Sequence, residues 1–524
     1  MGNAQHMVCD NIAAKGSVRR PQGEFWAKHN HGSYDIKEVS SAAHLYGRQV
    51  ASAEAYTDAK YSQSLAYLKS LADYAYAFQL NEFMVCASAY QPWLDKQPGN
   101  TANGREYCLN RNNTQWPLSR GFWDYQARCA YLMRQGTPVV DLCIYAGSEL
   151  PVKLLSHRLP HIPEGYDWDI CTDDALLHIL SADNGRLKAR GGMEYQALVV
   201  ERLARLTDEA EAKIAWLKEQ GVPVYDAHMA GDDGLKTFLD KKGIAPDVAL
   251  ESGNAPDNRV LFAHRKCGEA DLYFFYNHSE SPFKQSVTLR HSQGQVPEYW
   301  NPDDGRRYSL EHRTLPDGNL EVWLALAPYE AGFVVAHPAE AMDKPLLSRT
   351  WGGEEQVIPM NHDWQVDFIL PDDTIQMTMP TLTDWRLVDT WPVNDLPMAV
   401  KEKIKHHSGM ARYSRLFTNP SVADSVKRVY LRINGLHTVA RVWVNGKETG
   451  HLWASPWEVD VTDCLQAGEN KVCIEVANQL TNRMIGDMAL PEEQRTIFAT
   501  TPLVKAEDPL LPAGITGGVE WVIR

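Results

Sequence analysis

Two glutamates near the start of the chain stand where catalytic carboxylates are expected. Glu24 lies in "GEFW" and Glu54 in "SAEAYT". Two carboxyl groups can supply a general acid and a general base, which many hydrolytic reactions require. The residues beside Glu54 are small and leave room for a ring-shaped ligand. The alternatives are that Glu54 caps the next helix and that Glu24 pairs with a neighbouring arginine.

The elements around these glutamates alternate between strand and helix patterns. Three short apolar runs predict buried parallel strands: "RQVASAEAYT", "EFMVCASAYQPW" and "PVVDLCIYAG". A fourth strand is predicted near residues 8–14. Two segments with apolar residues at helical spacing lie between them, "QSLAYLKSLADYAYAFQL" and "GFWDYQARCAYLMRQG". This order predicts a parallel α/β unit, with Glu54 at the carboxyl end of a strand.

The predicted unit is too short for a closed barrel. An eight-stranded (β/α) barrel takes about 250 residues, and residues 1–160 supply about half of one. A partial, TIM-like barrel has two unpaired sheet edges and an uncovered interior, which we expect to be apolar. We therefore expect a homo-oligomer that completes the barrel, or an open sheet covered by later domains.

The remaining chain predicts three further domains, so the fold class is multidomain α/β plus all-β. Residues 161–253 predict a flavodoxin-like α/β domain, with a helix that begins at Thr207 and stops at Gly221. Residues 254–340 predict a small β-sandwich. Residues 341–524 predict a connector and a jelly-roll, galactose-binding-like β-sandwich. Asn445-Gly446 and Asn434-Gly435 are predicted hairpin turns.

Composition excludes several classes of partner. The net charge of −15 argues against nucleic acid and anionic membranes, because both need a basic face. No apolar run is long enough for a membrane span, and no signal peptide is visible. A cytoplasmic location is expected for the sequence as given, and a periplasmic or secreted one for an N-terminally truncated protein. The nine cysteines lack C-x-x-C spacing, which favours reduced thiols over a zinc site.

Several stretches together carry a family resemblance. "RPQGEFW", "KEVSSAAHLYGRQVASAEAYT", "NRNNTQW" and "LTNRMIGD" resemble the C-terminal half of glycoside hydrolase family 106, the α-L-rhamnosidase family. The stretch "VWVNGKETGHLWASPWEVDVTDC" resembles the sugar-binding domain of family 2 glycoside hydrolases. The resemblance covers essentially the whole chain, and it implies that the first half of a full-length member has no counterpart here.

The resemblance also implies roles for the two glutamates. The family is inverting, with an acid and a base glutamate and a calcium ion that meets the sugar hydroxyls. Glu54 matches the glutamate taken as general base. Glu24 matches a glutamate of the active site or of calcium coordination, and no organic cofactor is expected. No residue matches the general acid, and Glu149, at a predicted strand end, is the candidate replacement.

Further residues are candidates for substrate binding. The polar candidates are His44, Arg111, Asn112 and Gln115, and the candidate stacking surfaces are Trp26, Tyr90, Trp93 and Trp116. Sugars are held by such polar side chains and aromatic rings. The alternatives are a buried, satisfied histidine, ordinary loop polarity and ordinary packing. Trp443, Trp453 and Trp457 are predicted to belong to the core of the last domain.

These observations predict a glycoside hydrolase of plant or microbial glycans, α-L-rhamnosidase-like, that acts by carboxylate acid–base hydrolysis. One alternative is a glycosidase of another sugar specificity, such as a β-galactosidase-like enzyme. Another is a non-catalytic carbohydrate-binding fragment of a truncated glycosidase.

Overall fold

The first three strands of the computed structural model form a parallel sheet. The structure describes residues 8–27, 33–102, 104–106, 108–150, 161–230, 234–253, 259–290, 292, 294–339, 347–348, 355–391, 396–418 and 428–524. The strands are β1 (Gln22–Trp26), β2 (Ser52–Thr57) and β3 (Glu82–Val85), in the order β1-β2-β3. The helices between them are α2 (Ser33–Leu45) and α3 (Leu65–Ala77), and α4 (Arg120–Leu132) follows. The predicted strand–helix alternation is confirmed here.

Two expectations about this region are wrong. Residues 11–16 form a helix, α1 (Asn11–Gly16), instead of a fourth strand, because the Asp10 side chain accepts from the N–H groups of Ile12 and Ala13 and caps it. The face of the sheet opposite α2 is polar rather than apolar. This face carries two rows of register partners across the three strands, which we call rungs. The lower rung contains Gln22, Ser52 and Glu82, and the carboxylate rung contains Glu24, Glu54 and Met84.

The strand in "PVVDLCIYAG" belongs to a different sheet from β1–β3. Leu142–Tyr145 pairs in parallel with Trp168–Cys171 on one side and Ala197–Val200 on the other, and Val224–Asp226 completes four strands. An apolar run shows that a strand is buried but does not show which neighbour it pairs with. The helix α5 (Asp208–Glu219) covers this sheet, with the predicted cap at Thr207 and a left-handed Gly221 after its end.

A β-sandwich follows, with a core of rings and aliphatic side chains between two largely antiparallel sheets. In sheet order, the smaller sheet contains Val248–Leu250, Phe283–Leu289, Leu320–Leu326 and His312–Thr314. The larger sheet contains Leu347–Ser348, Arg307–Ser309, Gln295–Trp300, Ala331–Pro338, Ala270–Asn277, Val260–Cys267 and Thr137–Val139. The last of these strands precedes Leu142–Tyr145 in the chain.

The C-terminal part is a second sandwich. One sheet contains Gln356–Pro359, Ile515–Ile523, Val429–Leu436 and Glu458–Asp460, and the other contains Thr374–Thr381, His362–Ile369, Met410–Thr418, Glu469–Ala477, Val439–Val444 and Lys447–Leu452. The hairpin turn at Asn445-Gly446 is confirmed, with positive φ at both residues. Asn434-Gly435 instead lies in an irregularity within a strand. Three strands of this sandwich, Gln356–Pro359, His362–Ile369 and Thr374–Thr381, lie before residue 400, in the stretch predicted to be a connector.

Several shorter elements also lie within the described ranges. The helices are Ala227–Ala230, Leu235–Lys242, Met398–Lys405 and Thr481–Met488, with 3₁₀ turns at Trp116–Leu118, Trp385–Thr390, Thr462–Cys464 and Glu492–Gln494 and a π turn at Ala175–Ile179. Small ladders join Ser181–Asp183, Arg186–Lys188 and Glu194–Tyr195, and Pro98–Gly99 with Phe498–Ala499. Within the described ranges, no helix combines the length and apolarity needed to cross a bilayer.

The chain divides into two compact units. The first comprises Met1–Thr57, Ser70–Val85 and Tyr125–Arg349, and the second comprises Asp58–Lys69, Cys86–Asp124 and Thr350–Arg524. Both units are discontinuous in sequence. The four predicted domain boundaries stay a prediction.

Candidate functional site

Glu24 and Glu54 lie side by side on neighbouring strands. They are direct register partners of β1 and β2, and Met84 of β3 continues the same rung. Register partners in a parallel pair point to the same face, with strands about 4.8 Å apart. Gly23 faces Asp35 and Val39 of α2, so Glu24 and its register partner Glu54 lie on the opposite face of the sheet. The structure thus brings together the two glutamates that the sequence identified.

Each carboxylate is held by a side chain from the same strand. Trp26 donates from Nε1 to Glu24 Oε1 at 3.0 Å, and Thr57 donates from Oγ1 to Glu54 Oε1 at 3.0 Å. Trp26 and Thr57 are themselves register partners, because the pairing skips Tyr56, whose φ is +63°. A second rung, of indole and hydroxyl, therefore lies directly above the carboxylates.

A buried ion cluster fixes the backbone of Glu24. Asp35 of α2 accepts the Glu24 N–H on Oδ2 at 2.7 Å, on the edge of β1 that faces away from β2. Lys15 of α1 donates to Asp35 Oδ1 at 2.6 Å and to Glu38 Oε2 at 2.8 Å. Burial raises the pKa of Glu38 to about 7, which outweighs the opposing effect of Lys15.

Gly23 permits this close approach of α2 to β1. A Cβ at position 23 would lie 2.5 Å from Asp35 Oδ2 and 2.7 Å from a methyl group of Val39. Any larger residue would push the helix away from the strand and break the Asp35 contact. Asp35 and Gly23 were not identified from the sequence, although a glycine immediately before a candidate catalytic glutamate was an available signal.

The lower rung of the same face is also polar. Glu82 forms ion pairs with Arg20 at 3.1 Å and with Arg134 at 3.0 Å. Ser52 is fully buried, and its Oγ has no hydrogen-bond partner among the described residues. Barrel interiors are normally filled by branched apolar side chains. The polar floor is therefore suited to binding a polar ligand.

His44 lies in a buried pair away from this rung. Its Nδ1 is 2.8 Å from Asp169 Oδ2 of the four-stranded sheet, and Tyr195 donates to the same oxygen at 2.9 Å. Burial alone would raise the pKa of Asp169, but the charges of His44 and Lys37 outweigh it and lower that pKa to about 2. The geometry gives His44 a structural partner, and its contact with substrate stays a prediction.

The predicted polar loop residues lie in the second compact unit, where they organise a loop. Arg111 donates from Nη2 to the carbonyls of Gln91 and Trp93 at 2.9 and 3.0 Å. Asn112 donates from Nδ2 to the Pro98 carbonyl at 2.9 Å. Gln115 donates to the Gln63 carbonyl at 3.2 Å, while its buried Oε1 has no partner among the described residues.

The predicted stacking residues differ in exposure. Trp26 is half-buried and lies above Glu24, while Tyr90 is largely exposed. Trp93 packs edge-on against Phe498 with ring centroids 5.1 Å apart, and Trp116 packs against Trp123 at 5.9 Å. Trp26 is joined to the carboxylate rung through its hydrogen bond to Glu24.

Glu149 is exposed and follows Leu142–Tyr145. That strand belongs to the four-stranded sheet, so the structure does not place Glu149 on the sheet that carries Glu24 and Glu54. Its role as replacement acid stays a prediction.

The calcium ion that the family resemblance implies would need several oxygen ligands at this site. Within the described ranges, no group of three or more His, Cys, Asp or Glu side chains is arranged to hold a metal ion. Calcium takes six to eight oxygen ligands, and Glu24 Oε1 already accepts a hydrogen bond from Trp26. Calcium binding at Glu24 stays a prediction, and no catalytic step is assigned to calcium.

Comparison with known proteins is consistent with this geometry. The family model for α-L-rhamnosidases matches residues 1–230 and 225–314, and a galactose-binding-like domain of family 2 glycosyl hydrolases matches residues 364–501. A rhamnosidase structure from Novosphingobium sp. PP1Y is 25% identical, with a TM-score of 0.84 over 98% of this chain and 52% of that chain.

Two curated relatives carry another name. A putative beta-glucuronidase of Formosa agariphila is 29% identical over 360 residues, which is 62% of this chain and 30% of that protein. A beta-glucuronidase of Rattus norvegicus is 33% identical over 112 residues, 18% of this chain and 17% of that protein. The chain spans about half the length of the matched rhamnosidase and under a third of the first curated relative.

Proposed function

The chain belongs to the α-L-rhamnosidase family of glycoside hydrolases, and on this premise we propose that it hydrolyses α-L-rhamnosides. The observation that carries the proposal is the in-register pair Glu24–Glu54 on a polar sheet face. Glycoside hydrolysis uses two carboxyl groups, one as acid and one as base or nucleophile. The half-buried Trp26 ring beside the pair provides a surface for a sugar ring.

We assign the general base to Glu54. The Thr57 hydroxyl occupies Oε1 and leaves Oε2 to take a proton from a water molecule. We assign Glu24 to a sugar hydroxyl, in keeping with the active-site role that the family resemblance implies for it. Glu149 stays the candidate proton donor.

The test is a screen of aryl glycosides with three matched variants. Glu54→Gln should lower kcat by about 10²- to 10⁴-fold on an aryl α-L-rhamnoside. Glu219→Gln changes an exposed residue at the end of α5 and should have no effect. Glu149→Gln tests the replacement acid and should lower kcat only if that assignment holds. Full activity of Glu54→Gln would refute the proposal. Turnover of galactosides or glucuronides without turnover of the rhamnoside would show that the chain acts on a different sugar.

We further propose that a second copy completes the sheet β1–β3. Both outer strands lack a strand partner among the described residues, and open edges invite pairing. One edge position is already taken, because Asp35 binds the outer N–H of Glu24. Light scattering on the purified chain should give a dimer mass. A monomer with full activity would overturn this proposal.

A further inference from the structure

Met84 is the apolar member of the two polar rungs. It is the register partner of Glu54 on β3, so it points to the same face as both carboxylates. Met84 is 40% exposed, and the other five positions of the two rungs are polar. An exposed apolar side chain at this position therefore needs an explanation. An exposed thioether one strand spacing, about 4.8 Å, from the assigned base lies where a substrate bound to that base would be.

Resting on the proposed function, we propose that Met84 determines specificity by accepting the C5-methyl group of a 6-deoxyhexose. In a rhamnoside, the anomeric carbon and the carbon that bears the methyl group flank the ring oxygen. A sugar whose anomeric carbon faces Glu54 can therefore extend its methyl edge toward the next strand. Methionine is flexible and polarisable and adapts well to a small apolar group.

The charge of the face argues against a uronic acid in this position. Glu24 and Glu54 would repel a sugar carboxylate. Arg20 and Arg134, which reach the same face, are paired with Glu82 on the lower rung. A 6-hydroxyl group would require a hydrogen-bond partner that a thioether supplies poorly. The site therefore favours a neutral sugar with a methyl group at this edge.

The experiment compares two substrates that differ only at C6. An aryl α-L-mannoside has the stereochemistry of the α-L-rhamnoside and one additional hydroxyl group. An apolar contact rejects such an added hydroxyl by about 10²-fold in kcat/KM. Met84→Gln should reduce this rhamnoside preference by about tenfold or more, whereas Met84→Leu, the apolar control, should keep it. Both variants should fold, because the side chain is partly exposed.

Saturation-transfer NMR with L-rhamnose and L-mannose provides a readout that does not need turnover. In the unchanged chain, the methyl protons of rhamnose should receive the strongest saturation, and Met84→Gln should weaken that signal selectively. Activity or binding with an unchanged preference in Met84→Gln would overturn the inference and leave the proposed function intact. If the unchanged chain shows no turnover and no saturation transfer with either sugar, the proposed function and the inference are both refuted.

Discussion

The main-chain N–H of Glu24 donates a 2.7 Å hydrogen bond to Asp35 Oδ2, so a helix side chain sets the position of the strand that carries a candidate catalytic residue. Lys15 holds the other oxygen of the same carboxylate. All members of this cluster are buried. The rigidity of the carboxylate rung therefore depends on charges that lie on the opposite side of the sheet.

Removing the cation of this cluster should destabilise the first unit. Lys15→Met leaves Asp35 and Glu38 buried without a counter-charge, which costs about 3–5 kcal/mol. Urea denaturation measures the loss, and hydrogen exchange at the Glu24 amide should accelerate. Lys188→Met, which removes a solvent-accessible lysine that pairs with Asp183 and Glu194, is the control and should leave stability nearly unchanged. Equal effects of the two variants would contradict this account.

His44→Gln should alter stability rather than substrate affinity. The variant loses the 2.8 Å contact with buried Asp169, which costs about 1–3 kcal/mol. KM for an aryl rhamnoside should stay within twofold of the unchanged chain. His312→Gln on an exposed strand provides the matched control. A large rise in KM without loss of stability would assign His44 to the substrate instead.

His264 should make the small β-sandwich sensitive to alkali. Burial lowers its pKa, but Asp247 and Asp271, at 2.8 and 3.0 Å from its two ring nitrogens, outweigh burial and raise it to about 9. Lys266 and Arg290 also contact these two aspartates. Because the folded pKa exceeds the unfolded value of 6.5, the stabilisation is complete below pH 6.5 and disappears as pH rises through 9.

The expected size of this pH effect is about 3 kcal/mol, from about 1.36 kcal/mol per unit of pKa difference. Denaturation curves at pH 6 and pH 10 measure it. His264→Gln should be less stable at pH 6 and should lose most of the difference between the two pH values. The same slope in His264→Gln would show that another group titrates.

Two tryptophans of the second sandwich should respond differently to truncation. Trp453 is 1% exposed and packs on Phe122 at 5.6 Å, with Gly121 against its indole, so Trp453→Ala should cost about 3–5 kcal/mol. Trp443 is half-buried beneath the Arg441 guanidinium at 4.5 Å, a contact worth about 0.5–1 kcal/mol. Thermal unfolding of both variants checks the order, and equal losses would contradict it.

The sequence predicted local features of the site well. The small and apolar run "RQVASAEAYT" indicated a buried strand with Glu54 at its carboxyl end, and the structure confirms a strand over Ser52–Thr57. The predicted helix cap at Thr207 and the predicted turn at Asn445-Gly446 are also confirmed. Each depends on residues close together in the chain, whose propensities and hydrogen bonds act locally.

Features that depend on distant residues were not predicted. Nothing in "LCIY" distinguishes a neighbour in β3 from one in Ala197–Val200, since both are short apolar strands. The contact between Asp35 and Glu24 depends on how closely α2 approaches β1. The importance of Met84 follows from a register that is visible only after three strands are paired.

Tyr56 is left out of the pairing between β1 and β2, and this affects where relatives can differ in length. The offset comes after Glu54, so a relative that lost this residue would keep both its facing acids and the pairing of Trp26 with Thr57. Loss of one residue between Ser52 and Glu54 would instead place Ala55 opposite Glu24. Natural variation in length should therefore be rare in the first half of β2 and common beyond Ala55.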